Sequence, residues 1–146
     1  MYTPLLTLHS WIRWIALLVV VFVLVRSVRA LAGDGRWTPA DTKWLKGAAH
    51  AMTLQFLLGI FLFAVSPYIR NLMGDMATTM RDRTSRFFVV EHAAIMFLAL
   101  ASIHVGVLMT RGATTDRARH VRVAVCVGIA LALAAYGIPW DRPLLR

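Results

Sequence analysis

Apolar stretches with few or no charges recur four times along the chain, and their lengths already constrain the fold. A bilayer core about 30 Å thick takes roughly 20 apolar residues of helix. The second stretch is the cleanest, uncharged from Gly47 to Ile69; the fourth runs from Val123 to Trp140, and the third from Phe87 to Thr110 with one interruption at Glu91. The first is a misfit. Only twelve uncharged residues separate Arg13 from Arg26, about 18 Å of helix, which is too short to cross. Counting back roughly 20 residues from Arg26 puts the far end near Leu6, so Arg13 lies inside the apolar zone. The pattern predicts one all-α membrane domain over residues 1–146, a four-helix up-and-down bundle with spans at approximately 6–27, 45–68, 87–110 and 120–140.

The connections suit antiparallel neighbours. Gly33-Asp34-Gly35 reads as a turn, and Thr38-Pro39-Ala40-Asp41 as a helix start. Ser66-Pro67 opens the second connection, which also holds Gly74, Asp75 and Arg81-Asp82-Arg83, and Arg111 to Arg119 form the third. Trp11, Trp14, Trp44 and Trp140 fall near span ends, as interfacial aromatics do.

Composition agrees with lipid as the main solvent: 59% of the 146 residues are hydrophobic and 16% charged, with a mean hydropathy of +0.66. The net charge of +9 would prompt a search for a nucleic-acid surface in a soluble chain. Here the basic residues fall between apolar runs and form no stripe, so no nucleic-acid partner is expected. They instead report topology. Connections one and three carry nine Lys/Arg (Arg26, Arg29, Arg36, Lys43, Lys46, Arg111, Arg117, Arg119, Arg122), against six on the other side (Arg70, Arg81, Arg83, Arg86, Arg142, Arg146). The bias places loops one and three in the cytoplasm and both termini outside, in a multi-pass protein of the cell (inner) membrane. The N-terminus has no basic region ahead of its apolar stretch and does not resemble a cleaved signal.

The lone Cys126 excludes an intrachain disulfide and a Cys-rich metal site, and the absence of CxxCH excludes covalently attached c-type haem. HExxH, GxSxG and phosphate-loop patterns are also absent, which removes the readily recognised hydrolases and nucleotide enzymes.

Five histidines remain as candidate chemistry, because ionisable side chains at membrane depth are costly. His9 lies about three residues inside the first span, and His92 six residues past Arg86, both at the outer level. At the inner level, His50 lies four residues past Lys46 and His104 seven before Arg111. Each level therefore offers a pair drawn from different helices. On the third span the levels are about 18 Å apart, and twelve residues turn a helix by roughly 120°, so His92 and His104 face different neighbours. Two imidazoles from opposing helices can ligate a haem iron axially inside a bundle; the alternative for each is a packed polar residue bonded to a carbonyl or hydroxyl. His120, between Arg119 and Val121, reads as interfacial: a solvated or helix-start residue among basic neighbours, a proton-exchanging group, or a donor to a cofactor carboxylate.

Arg13 shares a helical face with His9, and Glu91 adjoins His92 at a similar depth. Mutual pairing of Arg13 with Glu91 is the economical expectation. Such a pair either fixes packing or serves function, Arg13 holding a haem propionate or quinone carbonyl and Glu91 orienting a histidine or passing protons. Met52, Met96 and Met109 are further ligand types that more often only pack. Thr53 and Gln55 can bond across helices without a catalytic role, and the Ala/Gly-rich fourth span (Gly128, Ala130, Ala132, Ala134, Ala135, Gly137) suits close contact within the chain or with a second copy.

The set His9-Ser10 with Arg13-Trp14, Glu91-His92 with Met96, Arg119-His120 and the terminal Ile138-Pro139-Trp140 resembles small bacterial four-helix membrane proteins of cytochrome b-like type, and more loosely the cytochrome b561 group. The resemblance implies non-covalent haem b, bis-histidine ligation and electron exchange with the quinone pool. In two-haem cytochrome b helices the two histidines share roughly one face, whereas the twelve-residue spacing of His92 and His104 departs from this, leaving one or two haems. The expectation is a b-type membrane cytochrome moving electrons within or across the membrane, with quinone or a redox subunit as partner and quinone oxidoreductase activity as one form of its function. His9 with His92 is the first ligand pair and His50 with His104 the second, His120 being the competing inner ligand. The rival readings are a cofactor-free anchor or interaction subunit, and a small His/Glu-based proton or metal transporter.

Overall fold

A computed structural model describes residues 2–140. Seven α-helices follow one another: α1 (Tyr2–Ala32), α2 (Pro39–Val65), the short α3 (Pro67–Met73), α4 (Met76–Arg81) and α5 (Arg83–Arg86), then α6 (His92–Arg111) and α7 (Asp116–Gly137). A π-helical turn, Phe87–Glu91, joins α5 to α6. No strand occurs among the described residues. Four helical stretches, Tyr2–Ala32, Pro39–Val65, Arg83–Arg111 and Asp116–Gly137, are long and apolar enough to cross a membrane. The chain is thus built as an all-α multi-pass membrane protein. Of the six basic residues counted on the terminal side, Arg142 and Arg146 lie outside the described residues.

The long helices pack in cyclic order, α1 on α2, α2 on α6, α6 on α7 and α7 back on α1. The short connections between α1 and α2 and between α6 and α7 keep those helices beside their sequence neighbours. The core is built mostly of small side chains, Ala16, Val20 and Val23 on α1, Ala48 and Ala49 on α2, Ala99 on α6, and Val123, Val127, Ala130 and Ala134 on α7, with Leu45, Met52 and Ile103 as its larger members. Small residues let helices approach closely where lipid leaves van der Waals packing as the main attraction. Large apolar side chains point outward instead, among them Leu18, Leu57, Leu108 and Val125. In the fourth span Ala130, Ala134 and Gly137 are buried within the chain, so part of its small-residue surface is already used internally.

The face carrying the α1–α2 connection is fastened by charge. Arg26 on α1 donates from Nε (2.9 Å) and Nη2 (2.6 Å) to Oδ1 of Asp41, while Oδ2 accepts from the backbone N–H of Thr38 (2.9 Å). Thr38 is in turn the N-cap of α2, its hydroxyl accepting from the Asp41 N–H. This is a capping box with Pro39 at the first helical turn. One carboxylate therefore both starts α2 and ties it to α1.

On the opposite, N-terminal face, Ser66 ends α2 earlier than the expected 68 because Pro67 cannot continue it, and the Ser66 side chain caps α3. Asp75 and Asp82 cap α4 and α5 in the same way. Hydrogen bonds from the side chain and backbone N–H of Thr78 hold the Asp75 carboxyl below its ordinary 3.8, and those of Ser85 do so for Asp82. A depressed folded-state value means that these caps are fully made above the unfolded carboxyl value and lost as pH falls through the folded one. The Thr78 and Ser85 amide signals are expected to move together with carboxyl protonation below about pH 4 in an NMR titration, with the long helices unchanged; cap signals that titrate at the unshifted value would contradict this.

Candidate functional site

Near the N-terminal face the bundle opens into a cavity of about 200 Å³ walled by all four long helical segments. The lining runs along α1 from Tyr2 to Leu17, about 22 Å of helix. It is mostly apolar, with Met52, Phe56, Phe63, Phe88 and Met96 among its walls. Besides the hydroxyls of Tyr2, Ser10, Ser66 and Tyr68, four nitrogen-bearing side chains from three helices interrupt that surface: His9 and Arg13 from α1, Gln55 from α2 and His92 from α6. His9 and His92 thus share one cavity with Arg13.

His92 is fixed in a defined tautomer. Its Nδ1 lies 2.7 Å from the carbonyl oxygen of Gly137 at the end of α7. A carbonyl only accepts, so Nδ1 carries the proton and, in the neutral ring, Nε2 keeps its lone pair. An imidazole anchored through Nδ1–H to a carbonyl is the usual arrangement of a histidine that ligates a metal through Nε2. The approach of α7 depends on Gly137, where a Cβ would run into Met96 Cε and stand 2.9 Å from Ile95 Cγ2. The π-helical turn immediately before His92 is a second aid to its placement, because one wide turn re-aims the residues that follow it.

His9 is held by two residues one turn apart on α2. The Gln55 amide donates from Nε2 to the His9 carbonyl (3.0 Å) and also stands 3.2 Å from Nδ1 and 3.3 Å from Nε2 of the ring. A nitrogen nearly equidistant from both ring nitrogens cannot lie on the lone-pair axis of either, so the amide rides over the ring face and leaves the lone pair usable. One turn on, Gly59 leaves the space the ring occupies: a Cβ there would stand 3.2 Å from His9 Cε1. Gly59→Leu is therefore expected to push the ring out of its notch while α2 stays helical, and to weaken any ligand bound through His9 by at least about tenfold. Ligand titration beside a circular-dichroism spectrum checks this; unchanged affinity would mean that the notch does not position the ring.

Arg13 lines the cavity with its guanidinium carbon 5.3 Å from the Trp14 ring centroid. The expected Arg13 pairing with Glu91 gives way to a nearer partner: Arg86 Nε donates to Glu91 Oε1 at 2.7 Å, and Arg86 Nη1 to the Met80 carbonyl at 3.1 Å. The five-residue separation of Arg86 and Glu91 matches the repeat of the π turn that Glu91 ends. Glu91 accordingly braces the α5–α6 junction.

The inner-level histidines are arranged differently. His50 bonds from Nδ1 to the Lys46 carbonyl of its own helix (2.8 Å), and His104 from Nε2 to Thr53 Oγ1 (3.0 Å), whose proton goes to the Ala49 carbonyl (2.8 Å). Both are exposed on the bundle exterior and neither lines the cavity. His120, expected to be interfacial and solvated or at a helix start, is 1% exposed and packed beside Trp37 with the rings tilted by 56° and their centroids 4.9 Å apart, at the far face from His9. Among the described residues no cluster of three or more His, Cys, Asp or Glu side chains forms a metal site. The roles of Gln55, Gly59 and the Gly137 carbonyl were not apparent from sequence; the only signal was a glutamine and a glycine one turn apart on an apolar span.

No protein-family model, curated protein or solved structure matches this chain.

Proposed function

We propose that this protein is a b-type membrane cytochrome with one haem held in the N-terminal-face cavity between His9 and His92. The carrying observation is that these two imidazoles, supplied by different helices, enter one apolar cavity while His92 offers Nε2 and its Nδ1–H is spent on Gly137. The donor set fits the group. Two neutral imidazoles suit low-spin haem iron, and the Arg13 guanidinium at the cavity wall suits a propionate carboxylate. A porphyrin is larger than the present cavity, so its entry would require wall side chains such as the unbranched Met52 and Met96 to move.

A bound haem b supplies one-electron oxidation and reduction at its iron. The chain's own residues would do the rest: His9 and His92 would hold the iron, Gln55 orients the His9 ring, and the Gly137 carbonyl keeps the proton on Nδ1 of His92 so that Nε2 offers its lone pair. The positive bias of connections one and three supports a cytoplasmic side for those loops, which puts the cavity near the outer face of a cell membrane. A lipid quinol or a neighbouring redox subunit is the electron partner that such a placement favours. Rapid mixing of the haem-loaded protein with a short-chain quinol tests the reading. Reduction with the sharp α and β bands of a six-coordinate b-type centre is expected; a preparation that is helical and folded but stays colourless after haem-replete expression would overturn it, and would favour an anchor or transport role.

A further inference from the structure

At the face opposite the haem cavity, a second cavity of about 150 Å³ lies between the end of α1, the α1–α2 connection and the start of α7. We propose that it binds a phosphate group. Its wall includes His120, whose ring is sealed in the protein and whose Nδ1 and Nε2 both lack a hydrogen-bond partner. A neutral imidazole always presents one N–H donor, and leaving a buried donor unmade is costly, so a side chain in this state marks a place where an acceptor belongs. Two cations share the cavity: Arg36 from the connection and Arg117 from the first turn of α7. The 22-residue α7 begins here, its N-terminal end adding positive potential.

The acidic lining does not cancel this. Asp116 is already paired with Arg119 at 3.0 Å, which leaves Asp34 against Arg36 and Arg117. The floor is rigid as well, because Trp37, which packs on His120, donates from Nε1 to Thr42 Oγ1 at 2.9 Å on the capped first turn of α2. A tetrahedral oxyanion accepts from a guanidinium fork and an imidazole N–H at once. The exposed side chains of Arg36 and Arg117 would shift for the ligand to reach the ring, Arg117 giving up its 3.5 Å hydrogen bond to the Leu31 carbonyl. Phosphate of this kind comes from two sources, the headgroup of an anionic phospholipid or free inorganic phosphate.

The site shares no residue with the haem cavity, and the proposal stands or falls independently of it. The full-length protein labelled with ¹⁵N-histidine, with the His120 signals assigned by His120→Gln, is titrated with inorganic phosphate in micelles at constant ionic strength. In parallel it is placed in nanodiscs of phosphatidylglycerol or of phosphatidylcholine. Saturable movement of the His120 ring signals is expected, weakened at least tenfold in the Arg36→Gln/Arg117→Gln double variant, whose changes lie on exposed side chains. Response to inorganic phosphate identifies a free ion; response to phosphatidylglycerol alone identifies a headgroup. An equal response to chloride, no saturable response in either format, or a response that the double variant leaves intact would overturn the proposal.

Discussion

Replacing His92 with Ala is expected to remove haem from the protein, and His9→Ala to do the same, while His50→Ala and His104→Ala leave haem content within error of the wild type. The asymmetry follows from where the rings lie. His9 and His92 wall one cavity, and on the proposed reading losing either would leave a bound iron with one imidazole in a site whose remaining walls are mostly apolar. His50 is bonded to its own helix and His104 to Thr53, both on the bundle exterior. Haem content by pyridine haemochrome across the four variants, each first shown to be helical, decides the matter. A His104→Ala protein that loses haem while His92→Ala keeps it would move the site to the other level.

The second large effect concerns stability. Asp41→Ala strands the Arg26 guanidinium, deprives the Thr38 N–H of its acceptor and breaks the capping box. Removing one partner of a buried ion pair costs roughly 3–5 kcal/mol. Asp41 is 7% exposed but Arg26 is 38% exposed, so solvent recovers part of the arginine's loss. A destabilisation of about 3 kcal/mol is expected, cap included, or a shift of more than a hundredfold in the unfolding equilibrium. Asp41→Asn, which keeps an acceptor, is expected to cost about half as much. Reversible unfolding in mixed micelles, followed by helical circular dichroism, measures both. A loss below about 1 kcal/mol for Asp41→Ala would place the pair with solvated surface bridges.

Much of the fold was legible because lipid leaves few options: a chain with four long apolar stretches separated by short polar connections must bury its backbone in four helices. Thr38-Pro39-Ala40-Asp41 announced the start of α2 for the same local reason that it caps there. The ends were less legible. Helix α1 runs from Tyr2 to Ala32, beyond the apolar stretch at both sides, since helix continues into the interface where hydropathy no longer marks it. The short helices α3 to α5 were read only as connection, although Ser66-Pro67, Asp75 and Asp82 are recognisable caps.

The site was half legible. Depth along a helix is read by counting residues, and His9 and His92 do reach one cavity. The expected divergence of His92 and His104 also holds in their neighbours, the Gly137 carbonyl for one and Thr53 for the other. Lateral partners need the angular setting of each helix, which periodicity fixes poorly when apolar side chains surround it on all sides. That is why Glu91 was assigned to Arg13 when Arg86, five residues away across a π turn, holds it. The burial of His120 was hidden for a related reason, since its charged sequence neighbours point to water while the ring turns inward against Trp37.

The central claim is one haem between His9 and His92, and haem stoichiometry combined with electron paramagnetic resonance of the oxidised protein tests it most directly. One haem per chain and a single low-spin signal of bis-imidazole type, unchanged by His104→Ala, are expected. No haem in folded protein, two per chain, or a high-spin ferric signal would contradict it.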